Sequence, residues 1–322
     1  MPDENEKTRV AGLSDMNLRP RPLGAREAFI AAHDRLRELA SIAPCPAVLV
    51  AAVDERARVV EAVLVESGDS LIIGRHTGCG LRLKSGSVSL RQLVVHARSE
   101  SPGAAPVTRL WDLNTQHPFR TEDGQPSAAV IAQGMLYAAV EQYALLFVPT
   151  RGPSEAPWPA RAEEAWGALP QRQFIDRRTP SATRFRHSQR LRLDGQPYQT
   201  QITRVGPLMM LGDHEGPEAA WGELRLDGKK KVESHRISLD RLEQGVLLGR
   251  YERCGIPLED LQDVSRVHLL LVQIGEELLA IDTASTNGTW DGQTQIETTT
   301  LDDLDSLKLG DVLHIHWHRL HA

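Results

Sequence analysis

Four side chains in the C-terminal part of the sequence can act together on one anion. Arg250 follows Gly249 at the end of the apolar run Val246-Leu247-Leu248. A guanidinium there is a permanent cation with a planar fork of donors. Ser265 lies in Ser265-Arg266-Val267-His268, and Thr286 and Asn287 lie in Ser285-Thr286-Asn287-Gly288-Thr289. They supply two hydroxyls and a carboxamide. A fixed cation ringed by neutral donors suits a phosphate ester, which carries nearly two negative charges and three acceptor oxygens. Taken singly, Ser265 and Thr286 read as turn residues and Arg250 as a member of a surface ion pair. The chemistry therefore depends on whether the fold brings them together. All four stand beside glycine, at strand ends or in a Ser/Thr/Asn cluster, which are loop positions that a rigid scaffold presents to a ligand.

The surrounding sequence reads as short strands. Asp227-Gly228 marks a hairpin between Glu223–Leu226 and the run Lys231–Leu239. Earlier in the chain, Ala47–Val53, Val59–Val65, Ser70–Ile73 and Gln92–Ala97 are separated by Gly, Asp and Ser, the spacing of an antiparallel sandwich. The apolar stretch Ala128–Val148 fits helix or strand equally well by periodicity.

An internal repeat links the two regions. Leu71-Ile72-Ile73-Gly74-Arg75, Cys79-Gly80-Leu81-Arg82-Leu83 and Val88-Ser89 are matched in order by Val246-Leu247-Leu248-Gly249-Arg250, Cys254-Gly255-Ile256-Pro257-Leu258 and Val264-Ser265. Trp111-Asp112 corresponds to Ile281-Asp282. So many ordered matches predict two copies of one fold.

The second copy resembles the forkhead-associated (FHA) domain family over about residues 219–318. The resemblance rests on Gly249-Arg250, Ser265-Arg266-Val267-His268, Ser285-Thr286-Asn287-Gly288-Thr289 and Leu309-Gly310-Asp311 standing in family order. It implies an antiparallel β-sandwich that binds phosphothreonine peptides. By the same resemblance, Arg250, Ser265 and Thr286 hold the phosphate, Asn287 holds the peptide backbone, and Arg266 faces the ligand. His268, Gly249 and Gly288 support the loops. The first copy departs from the pattern. Arg75 and Ser89 match, but Gln92 replaces the histidine, Gln116-His117 replaces Thr-Asn, and Pro118 replaces the following glycine. Glu141-Gln142 stands near the place of the terminal Gly-Asp. Arg75, Ser89, Gln116 and His117 form a second, weaker candidate site, with a structural or docking role the stronger expectation for this copy.

The expected fold class is all-β: two tandem antiparallel sandwiches with a short N-terminal helix. Residues 1–23 read as a flexible tail. Residues 24–43 read as a helix with Phe29, Leu36 and Leu39 on one face, stopped by Pro44 and Pro46. Residues 44–150 form the degenerate sandwich, 151–188 a linker rich in proline and arginine, and 189–322 the FHA domain. Thr179 and Thr183 lie among the linker's arginines and are candidate phosphorylation sites.

Composition narrows the function classes. The 322-residue chain is 41% apolar and 25% charged, a globular mixture. Its net charge of -6 argues against a general nucleic-acid binder. No run approaches the roughly 20 apolar residues of a membrane helix. The acidic start Met1-Pro2-Asp3-Glu4 is unlike a secretory signal. Cys45, Cys79 and Cys254 form no disulfide framework, which suits the cytoplasm. No Walker loop, dinucleotide fingerprint or nucleophile elbow is present. His314, His316 and His318 alternate along one strand and read as a solvent-facing set, not as metal ligands. The expected protein is thus a non-enzymatic adaptor without cofactor or metal. Its partners are phosphothreonine-containing proteins and a Ser/Thr kinase or its substrates, with no nucleic acid and no membrane insertion. The alternative is a phosphorylation-independent scaffold or component of a larger assembly.

Overall fold

The computed structural model describes residues 21–169, 172–175, 200–201, 220–228 and 232–320. Lys229–Lys231, Thr179 and Thr183, and nearly all of the expected tail lie outside the described residues.

The chain begins with helix α1 (Ala25–Ile42), followed by strands β1 (Ala47–Val53), β2 (Val59–Glu66), β3 (Ser70–Gly74), β4 (Leu81–Arg82) and β5 (Leu93–Arg98). Next come β6 (Val107–Asp112), β7 (Ala129–Gln133), β8 (Leu136–Val140), β9 (Tyr143–Thr150), helix α2 (Ala162–Ala168), β10 (Arg172–Ile175) and β11 (Thr200–Gln201). The stretch that periodicity left open between helix and strand is three strands, because Gly134 at φ 83° and Glu141 at φ 51° place turns inside it.

One sheet, ordered β2-β1-β9-β8, stacks on a second containing β7-β6-β5-β3-β4. Alternate residues such as Val48, Val50, Leu93, Val95, Leu110 and Phe147 fill the core between them. β1 is buried on both faces because α1 covers its outer side with Phe29, Leu36 and Leu39. This double burial explains the unbroken apolar run Ala47–Val53. The expected linker is partly built into this domain. α2 packs on α1, with Phe29 between the rings of Trp158 and Trp166 at 5.9 and 5.4 Å, and β10 pairs with β7. Proline-rich composition misled here: tryptophans spaced between prolines anchor an irregular segment without any sheet period.

The second sandwich runs through β12 (Ala220–Gly228), β13 (Val232–Ser238), α3 (Leu239–Gln244), β14 (Val246–Gly249), β15 (Ile256–Pro257), β16 (Leu269–Ile274) and β17 (Glu277–Asp282). It ends with β18 (Thr289–Asp291), β19 (Thr294–Ile296), β20 (Thr298–Leu301), β21 (Ser306–Leu309) and β22 (Leu313–Arg319). The sheet β13-β12-β22-β21-β18-β19 faces the sheet β15-β14-β16-β17-β20 over a core including Leu224, Leu248, Leu271, Ile315 and a buried Trp317. β22 alternates as its sequence suggests: Leu313, Ile315 and Trp317 point inward, and the histidines between them point out.

The two copies pack through the same face. Ile72, Val94 and Trp111 of the first share an apolar cluster with Leu247, Leu270 and Ile281, their counterparts in the repeat. The arrangement is an intramolecular version of an isologous dimer contact. Its edges are polar: Arg98 makes a two-point ion pair with Glu277, both contacts 2.7 Å, and Asn114 Nδ2 donates to Arg253 O at 2.5 Å.

Candidate functional site

The site lies where the loops after β14, before β16 and after β17 meet. Close backbone approach sets the first contact. A Cβ on Gly249 would stand 2.3 Å from Arg266 O, so only glycine lets these loops touch. Gly74 has the same restriction in the first copy, 2.4 Å from Leu90 O. Backbone bonds Arg250 N to Ser265 O (3.0 Å) and Tyr251 N to Arg266 O (2.8 Å) then lock the loops together.

Arg250 is fixed without being neutralised. Its Nε donates to Val264 O at 2.6 Å and its Nη1 to Gln262 Oε1 at 3.1 Å. Among the described residues no carboxylate pairs with it. Ser265 is buried, and its Oγ accepts from Thr286 N at 2.9 Å and lies 3.3 Å from Thr286 Oγ1. The guanidinium, both hydroxyls and the exposed Thr286 therefore occupy one rim. Asn287 Nδ2 donates to Asp263 O at 2.8 Å, and Trp290 Nε1 donates to Asn287 O at 3.0 Å. The carboxamide is held across the loops while its Oδ1 has no partner among the described residues.

Two buried residues brace this rim. His268 Nδ1 accepts from Ser265 N at 3.0 Å, so its proton sits on Nε2, which faces Gly288 O at 3.2 Å. Burial lowers the His268 pKa, with Asp282 acting in the opposite sense. The neutral ring is the form that can accept at one nitrogen and donate at the other. Asp282 accepts from Ser285 N, Ser285 Oγ and Thr289 Oγ1, each at 2.7 Å. These bonds tie down the turn in which Ala284 takes φ 58°.

The first copy keeps more of this design than its sequence suggests. Arg75 Nε donates to Val88 O at 3.1 Å, as Arg250 does to Val264 O. Gln92 does the histidine's work: its Oε1 accepts from Ser89 N at 3.1 Å, and its Nε2 donates to His117 O at 3.0 Å and Thr115 Oγ1 at 2.8 Å. Asn114 at φ 55° matches Ala284, and Glu141 at φ 51° matches Gly310 at φ 55°. Burial pushes Asp112, the counterpart of Asp282, up to about 7. What is lost is the Thr–Asn pair, and His117 is instead 3.0 Å from Glu141 Oε1.

Arg266 departs from the expected grouping. It is exposed, and it lines a cleft with Arg75, Ser89, Gln116 and His117 of the first copy. Sequence reasoning missed Arg91, whose Nε and Nη2 both donate to Ala284 O, at 3.0 and 2.5 Å. No motif marks it, because its partner is a backbone carbonyl in the other copy.

Residues 246–310 match the family model described as FHA domain. A structure from a study of phosphothreonine-dependent FHA domain interactions is 30% identical, covering 31% of this chain and 97% of that one, with a TM-score of 0.26. The FhaA FHA domain complexed with the intracellular domain of Rv3910 is 27% identical over 30% of this chain and 99% of that one, with a TM-score of 0.27. The FHA-1 domain of Mycobacterium tuberculosis Rv1747 is 21% identical over 31% and 100%, with a TM-score of 0.25. No curated protein matches the chain. The family model and the loop geometry carry the assignment of the second sandwich.

Proposed function

Because the second sandwich is a forkhead-associated domain, we propose that this protein is a phosphothreonine-dependent protein-binding adaptor in Ser/Thr kinase signalling. The observation that carries the reading is Arg250, a cation fixed by two neutral oxygens and left without a counter-ion among the described residues. A partner's phosphate supplies the missing charge. Arg250 binds it by charge-assisted bonds, and the hydroxyls of Ser265 and Thr286 reorient to donate to its other oxygens. Asn287 Oδ1 accepts from the partner's backbone and sets register. Arg266, exposed next in sequence to Ser265, lines the cleft shared with the first copy and is not needed for this contact. His268, Gly249 and Gly288 hold the loops and do not touch the ligand.

In this reading the partners are phosphothreonine-bearing proteins, namely a Ser/Thr kinase or its substrates, and the protein catalyses nothing itself. It acts in the cytoplasm. No described helix is long and apolar enough to cross a membrane. Affinity in the micromolar range, about 8 kcal/mol, is what one such site supplies. Capture of partners by the full chain, with and without prior phosphatase treatment, tests the proposal. Capture that depends on phosphate and on Arg250 supports it. Capture indifferent to both identifies a phosphorylation-independent scaffold, the reading favoured by the first copy's lost Thr–Asn pair.

A further inference from the structure

A cleft of about 490 Å³ opens between the two sandwiches, within the range of roughly 300–1,000 Å³ usual for ligand sites. Arg75, Ser89 and Gln116 of the first copy line one side, and Tyr251 and Arg266 of the second line the other. Leu90, Leu113 and Val267 add apolar surface. Arg91 and His117 also line it; among the described residues no Asp or Glu does, and the Glu141 carboxylate stands against His117, 3.0 Å from its Nδ1.

The cations here are oriented and available. Arg75 is held by its Nε on Val88 O, as Arg250 is held on Val264 O, leaving its outer nitrogens without a partner among the described residues. Arg266 is exposed and makes no side-chain bond with any described residue. Ser89 sits beside Arg75 as Ser265 sits beside Arg250. The first copy has lost the Thr–Asn pair, but the second sandwich places a guanidinium opposite the gap.

The approaches to the two rims carry opposite charge. The loop before Ser89 holds Lys84 and no carboxylate, whereas the loop before Ser265 holds Glu259, Asp260 and Asp263, all exposed. Three guanidiniums also exceed the charge of one phosphate ester. Acidic ligands are therefore drawn to the cleft and repelled from the Arg250 rim. The Gln116 carboxamide can donate and accept, as a peptide backbone requires, and the apolar surface suits neighbouring side chains.

We propose that this cleft is a second recognition site, assembled by both sandwiches, for a phosphorylated peptide segment with acidic residues beside the phosphate. Arg75 and Ser89 anchor the phosphate, Arg266 reaches it or the flanking carboxylates from the other copy, and Arg91 adds positive potential. The site goes beyond the Arg250 reading and does not depend on it.

The test titrates the full chain with a phosphothreonine peptide flanked by glutamates, its unphosphorylated twin, and inorganic phosphate. Arg250→Ala protein is expected to bind the phosphorylated peptide. Adding Arg75→Ala or Arg266→Gln should weaken that binding by about tenfold or more. Amide NMR shifts of residues 113–117 on peptide addition give a readout that needs no variant in the cleft. The proposal is overturned if Arg250→Ala protein does not bind the peptide. It is equally overturned if the unphosphorylated twin or inorganic phosphate binds as well, or if the Arg75 and Arg266 exchanges change nothing. The Arg250 reading fails separately, if a lysine-flanked phosphothreonine peptide binds wild type and Arg250→Ala alike.

Discussion

Arg91 of the first sandwich grips the carbonyl of Ala284 in the second with two nitrogens, two residues before Thr286. The degenerate copy thus buttresses the turn that carries Thr286 in the intact one. Replacing Arg91 with Met removes both charge-assisted bonds and loosens a turn that already holds Ala284 at φ 58°. The expected result is a phosphopeptide affinity lower by about fivefold to tenfold, roughly 1–1.4 kcal/mol, with Arg91→Lys restoring part of it. Calorimetric titration checks this, and unchanged affinity in Arg91→Met would remove the buttressing role.

His96 makes the interface sensitive to acid. Burial first, then Arg109 and Arg98, lower its pKa to about 4 from the usual 6.5. The unfolded chain therefore binds a proton more readily than the folded one between these values. Stability contributed by the neutral ring is present above pH 6.5 and falls as pH drops toward 4. The full loss is on the order of 3 kcal/mol, at about 1.4 kcal/mol per unit. Val272 stands at the equivalent position of the second copy, so His96→Val is the natural comparison. Denaturant unfolding at pH 7 and pH 4.5 should show the wild type losing more stability than the variant. The difference between the two proteins cancels the opposite trend of Asp112, whose raised pKa favours the folded state on the acid side.

Cys79 and Cys254 lie in the shared apolar cluster, with thiol pKa values pushed up by burial to about 11 and about 12. Both are expected to resist thiol reagents in the native protein at pH 8. Val94→Asp puts a charge into the same cluster and should render both reactive. Mass spectrometry of labelled protein reads the outcome directly, and fast native labelling of either cysteine would contradict the packing of the two copies.

The helix α1 stabilises the first sandwich by covering β1. Leu36 is fully buried between them. Leu36→Ala should cost about 2–5 kcal/mol of unfolding free energy, measured by chemical denaturation, while leaving the Arg250 rim intact.

Much of this was legible in the sequence. The Gly-Arg, Ser-Arg-Val-His and Thr-Asn-Gly motifs mark loops whose tight approach demands those residues, as the 2.3 Å limit at Gly249 shows. The repeat was legible because the same backbone turns recur in both copies. Three features were not. The Pro-rich segment's tryptophans pack on α1 without any period to reveal them. Gln92 looked like a loss because identity changed while the hydrogen-bond pattern did not. Arg91 acts across the interface between copies, and Arg266 faces a cleft that forms only where the copies meet; relations between distant segments leave no local signature.

The most direct test of the central claim is calorimetric titration of the full chain with a lysine-flanked phosphothreonine peptide, beside its unphosphorylated form and the Arg250→Ala variant. The account predicts micromolar binding, about 8 kcal/mol, that disappears when either the phosphate or the guanidinium is removed. Equal binding by the unphosphorylated peptide, or by Arg250→Ala, would contradict it.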